Sequence, residues 1–111
     1  MTAAMTQTVK VYIADFEGCT GKVSFLLRLA RAFRIDTARV VKGEVWKALC
    51  ERITSACASG FPVSVRVVGL DDAYASLPRE CETLIRILRA AKEANDGFRA
   101  DAVIGQMKWK I

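Results

Sequence analysis

Residues 42–51 read KGEVWKALCE. Wound as a helix, the stretch puts Val45, Trp46, Leu49 and Cys50 on one side, with Lys42, Glu44, Lys47 and Glu51 mostly on the other. Such a helix packs its apolar side and leaves its charged side to water or to a partner. The apolar stripe runs on through Ile53 and Cys57. Gly43 opens the helix, and Ala58-Ser59-Gly60-Phe61-Pro62 stops it, with Gly at the end and Pro beyond. Trp46 belongs to the stripe and is expected in or near the core.

Upstream, Val9, Val11 and Ile13 alternate with Lys10, Tyr12 and Ala14, the period of a strand. A turn follows over residues 15–21, where Thr20 is placed to cap the next helix. Val23, Leu26, Leu27, Ala30 and Phe33 recur at helical spacing, with Lys22, Arg28, Arg31 and Arg34 mostly off the stripe. Residues 35–42 have no clear period and read as a connector.

Downstream, Val63, Val65 and Val67 alternate with Ser64 and Arg66 as a second strand. Residues 69–75 read as a loop carrying Asp71 and Asp72. Ser76 is placed to cap a third helix, with Pro78 in its first turn and Cys81, Leu84, Ile85, Leu88 and Ala91 as its buried face. Asn95-Asp96-Gly97 ends it, and residues 98–104 alternate as a third strand. The order β-α-α-β-α-β, with helices in both crossovers, predicts a small α/β domain with a three-stranded, mainly parallel sheet. The expected boundaries are a flexible N-terminus over 1–8, one domain over 9–106 and a C-terminal tail over 107–111, with Trp109 exposed.

A chain of 111 residues fits one domain and can bury a core without staples. No apolar run approaches the ~20 residues that span a bilayer, so no membrane partner is expected. MTAAMTQT lacks the basic start and apolar centre of a secretion signal, and the expected compartment is the cytoplasm. There is no histidine, which removes Ser-His-Asp chemistry in its standard form and the commonest zinc ligand. Cys19, Cys50, Cys57 and Cys81 form no C-x-x-C pair. The last three lie in apolar stripes and are expected to be buried and reduced.

Gly18-Cys19-Thr20-Gly21-Lys22 stands where a phosphate loop would stand. Only two residues separate its glycines, and Val23 follows the lysine where magnesium would need Ser or Thr. Asp71 and Asp72 have no third acidic ligand nearby. No nucleophile can be matched with a base. The expectation is a protein that is not an enzyme and takes no cofactor or metal. Charge is more informative. Residues 22–52 hold eight basic and three acidic side chains, while the rest of the chain holds nine of each, so the net +5 belongs to this segment. A basic patch of this kind draws anionic partners, nucleic acid among them. Little aromatic interleaving and no recognisable nucleic-acid module accompany it.

The element order and the segment 43–51 resemble the barstar family of bacterial intracellular ribonuclease inhibitors, over about residues 9–104. GEVWKALCE is similar to the family's G-x-N-[LW]-D-A-L-x-D, which opens its second helix. PVSVRV at 62–67 and LIRILRAA at 84–91 match its later strand and helix. The resemblance implies a non-catalytic inhibitor of a ribonuclease or related toxin, docking through the second helix and the connector before it. Carboxylates there would mimic phosphate in a basic groove. The implied contact residues are Arg39, Lys42, Gly43, Glu44, Lys47 and Glu51. Val45 stands for the family's Asn and Lys47 for its first Asp. Glu51 keeps the second acid, and Ala90 stands where the prototype has an acid on its third helix. The replacement of acid by Lys47 points to an altered target, or to a scaffold reused to bind an acidic protein or nucleic acid through residues 22–52.

Overall fold

A computed structural model describes residues 9–111, so the expected flexible N-terminus lies outside the described residues. The chain runs β1 (Lys10–Asp15), α1 (Lys22–Ala32), α2 (Thr37–Val41), α3 (Val45–Ala58), β2 (Val63–Val68), α4 (Leu70–Ser76), α5 (Pro78–Ala94), β3 (Phe98–Ile104) and β4 (Met107–Lys110). The sheet has four strands in the order β1-β2-β3-β4. β1, β2 and β3 are parallel, in register from Lys10↔Val63 and Val63↔Phe98. β4 returns antiparallel on β3, pairing Asp101 with Lys110 and Ile104 with Met107.

The expected α/β class holds, and the three-stranded sheet is corrected to four strands of mixed direction. The residues read as a tail make the fourth strand. Gly105, at φ +61, takes the left-handed turn that sends Met107–Lys110 back along β3. Trp109 is exposed on it. The connector contains α2, whose Asp36 carboxylate accepts the Ala38 N–H at 3.0 Å. The loop after β2 is α4. It starts at Gly69, at φ +70, where a Cβ would lie 2.5 Å from the Glu17 nitrogen. Both elements are too short to show a period.

Both crossovers step the same way across the sheet, β1 to β2 to β3, and crossovers of one hand carry their helices to one side of it. Val63, Val65, Val67, Phe98, Ala100 and Ala102 point to that side and are buried. The other face is bare: Val11, Ile13, Arg66 and Arg99 are exposed on it. β1 therefore turns Tyr12 and Ala14 inward and two of its aliphatic residues outward.

Aromatic contacts set how α1 lies. Phe25 stacks on Phe16 with centroids 4.3 Å apart, and Phe33 on Tyr12 at 5.0 Å. The buried line is thus Phe25, Leu29, Ala30 and Phe33, while Val23 and Leu27 of the expected stripe face water. A Phe buries more apolar area than Val, so the 25-29-33 line wins the competition for the core. The same rotation affects α3. Its buried residues are Val45, Ala48, Leu49, Ile53 and Ala56, and the small Ala48 and Ala56 let it pack closely. Trp46 is partly buried, its ring 6.4 Å from Phe25. Cys50 is exposed and Cys57 half-buried, against the expectation of burial for both, while Cys81 is buried as expected.

Two helix caps also differ. α1 begins at Lys22 with Gly21, not Thr20, at its N-cap. Ser76 closes α4, and Leu77 precedes the Pro78 that opens α5.

Candidate functional site

The end of α1, the short α2 and the start of α3 meet around a groove of about 420 Å³. Each part has a local cause. After Phe33, α1 closes with Arg34 in a left-handed conformation (φ +56), the Ile35 N–H reaching the Ala30 carbonyl at 2.8 Å. This is a Schellman closure with Arg where Gly is commonest. α2 is capped by Asp36. Gly43, at φ +72, turns the chain from α2 into α3, and the Ala48 N–H takes the Glu44 carbonyl.

The groove is lined by Arg34, Ile35, Asp36, Arg39, Glu51 and Arg52, among others. Arg39 is its centre. Its Nε lies 3.2 Å from Glu44 Oε1 and its Nη1 lies 2.7 Å from Glu51 Oε1. One guanidinium thus ties α2 to both the first residue before α3 and the second turn of α3. The hydrogen bond to Glu51 is the main cause that raises the Arg39 pKa, opposed by partial desolvation. The same bond holds the Glu51 carboxyl below its usual value, with partial desolvation opposing and the charges of Arg39 and Lys47 assisting. Arg52 Nη2 donates to the Arg34 carbonyl at 3.0 Å, pinning the strained turn to α3.

The six residues singled out from the sequence separate into three kinds. Arg39, Glu44 and Glu51 come together as one clamp. Lys42, at the C-cap of α2, and Lys47, on α3, are exposed and enter neither ion pair of the described residues. Gly43 shapes the turn. The eight basic side chains of residues 22–52 do not share one surface. Arg34, Arg39 and Arg52 line this groove, whereas Arg28 and Arg31 lie against the edge of β1.

Sequence reading missed two residues here. Val41, the last residue of α2, is 89% exposed beside Lys42. Its apolar character inside an otherwise charged connector was the available signal. Arg34 gave none, because a left-handed Arg looks like any other surface Arg in a sequence. Asp72 turns out to be structural: its Oδ2 accepts the Gly18 N–H at 2.8 Å and ties the turn after β1 to α4. Chemically, the groove offers the guanidinium groups of Arg34, Arg39 and Arg52 and the carboxylates of Asp36 and Glu51, and the adjoining chain adds the clamped Glu44 and the exposed Val41. These are means of binding a surface. No protein-family model, curated protein or solved structure matches this chain.

Proposed function

We propose that this chain is a non-catalytic, barstar-like protein-binding module. Its contact surface runs from Arg34 to Arg52 across α2 and α3, and it takes an acidic protein surface. The observation that carries this reading is the Arg39 clamp. Glu51, which stands where the resembled family keeps its second motif acid, and Glu44, just before α3, are both engaged by one guanidinium. Around the clamp, with Asp36 the one carboxylate outside it, Arg34, Lys42, Lys47 and Arg52 enter neither ion pair of the described residues. A basic partner would meet them as like charges, which costs several kcal/mol across an interface. An acidic partner would be steered in by them, and Val41, exposed at the end of α2, would supply an apolar contact.

One observation favours a second reading, inhibition of a ribonuclease or related toxin through Glu51. Arg39 occupies only Oε1 of Glu51, and the side chain remains half exposed. Its second oxygen could still meet a cation.

Charge changes at Lys47 and Glu51 test both readings. The protein is immobilised, exposed to an extract of its source cells and eluted with rising salt. The expected result is retention of acidic proteins that is lost in Lys47→Glu and kept in Glu51→Gln. Retention that survives Lys47→Glu and disappears in Glu51→Gln, joined with loss of ribonuclease activity at micromolar protein, would establish the inhibitor reading instead.

A further inference from the structure

The two edges of the sheet are unlike. β4 has four residues and carries Lys108 and Lys110, a common protection against strand addition. β1 has six residues, KVYIAD, with no proline. The Lys10 and Phe16 N–H groups donate to the Pro62 and Val68 carbonyls. In a parallel ladder a residue turns both backbone groups to the same neighbour, and the next residue turns both away. Lys10, Tyr12 and Ala14 therefore face β2, and Val11 and Ile13 direct their N–H and C=O off the sheet. β1 is the outer strand among the described residues. Their side chains, 58% and 57% exposed, stand on the bare face of the sheet.

Alongside this edge lies a slot of about 510 Å³ lined by Ile13, Asp15, Arg28, Arg31 and Ala32. Arg28 closes one end of it, donating to the Asp15 and Glu17 carbonyls at 3.3 and 2.7 Å. Arg31 is exposed on the helical side and enters neither ion pair of the described residues. A strand laid here would have one set of side chains beside Val11 and Ile13 and the alternate set beside Arg28 and Arg31. A second copy of β1 fits the hydrogen bonds but brings its own Lys10 to the side where the arginines stand. Asp15, the one acid lining the slot, accepts the Glu17 N–H, and on the helical side Arg28 and Arg31 ask for acidic residues.

We infer that the β1 edge is a docking site for an extended acidic segment of another protein, alternating aliphatic and acidic residues, which adds as a fifth strand through Val11 and Ile13 and pairs its acids with Arg28 and Arg31. This site is separate from the α2–α3 groove and does not depend on it.

The test uses the full chain, labelled with 15N, and a capped eight-residue peptide alternating Glu and Val. The same peptide with Lys for Glu is the control. The acidic peptide should slow amide exchange at Val11 and Ile13 and leave Lys10 and Phe16, already bonded to β2, unchanged. Arg31→Glu should weaken it by about tenfold and reverse the preference between the peptides. Ile13→Pro removes one outward N–H, and it should weaken both peptides while retained protection at Lys10 and Phe16 shows the fold intact. Lys47→Glu, in the α2–α3 surface, should leave the peptide's protection of Val11 and Ile13 unchanged. Equal binding of both peptides, or protection elsewhere in the chain, would overturn the assignment. So would loss of the Val11 and Ile13 protection in Lys47→Glu, or the same protection at high protein concentration without peptide.

Discussion

The two sides of α3 are governed by different physics. On the inner side Val45, Leu49 and Ile53 are almost wholly removed from water and share one core with Phe25, Leu84 and Leu88. On the outer side Lys47 and Glu51 stand in water, and Glu51 is held by Arg39 from α2. The inner residues are chosen by volume and fit, and changing them costs folding energy. The outer ones contribute little to folding, since exposed ion pairs are worth about 0–1 kcal/mol. The same helix can therefore keep its place in the domain while its outer face changes sign to suit a partner.

The largest effect should come from the inner side. Leu49→Ala removes a fully buried side chain and should cost about 2–5 kcal/mol in urea unfolding, whereas Lys47→Ala should stay within about 0.5 kcal/mol. A Leu49→Ala loss no greater than that of Lys47→Ala would erase the distinction. The cysteines sharpen it chemically. Burial, with the charge of Glu80 next, pushes the Cys81 thiol up to about 11, while Cys50 on α3 is exposed. An alkylating reagent at neutral pH should therefore label Cys50 first and leave Cys81 until the protein unfolds, as mass spectrometry would show. A smaller effect lies at the rim of the groove. Arg34 sits at φ +56, so Arg34→Gly should raise stability by about 1 kcal/mol while removing one cation from the contact surface.

Period and punctuation made much of the fold legible. The alternation in 63–67, the stops at Gly60-Phe61-Pro62 and Asn95-Asp96-Gly97 and the long apolar stripes placed three strands and three helices. α2 and α4, at five and seven residues, are too short for a stripe to appear. β4 was hidden because two of its four residues are lysines, as suits a strand at the edge of a sheet. The phase of α1 was misread because counting apolar residues gives Val23 the weight of Phe25, and the structure does not. Helical spacing put Val45 and Leu49 on the packed side, but it also put Cys50 there. A rotation of less than one residue separates the two outcomes. At the groove, the charged residues were visible one by one, and their pairing was not. Arg39 lies five residues from Glu44 and twelve from Glu51, and only the turn at Gly43 brings all three together.

That pairing is where the account is most exposed. Arg39 holds both Glu44 and Glu51 and offsets one of their two charges, so Arg39→Ala should free two carboxylates beside Lys42 and Lys47 without unfolding the domain. The decisive measurement is the salt-resolved retention of acidic proteins from source-cell extract by the wild type and by Arg39→Ala. The account predicts a drop on the order of tenfold in Arg39→Ala, with unfolding midpoints changed little. Retention that is unchanged or stronger in Arg39→Ala would contradict it.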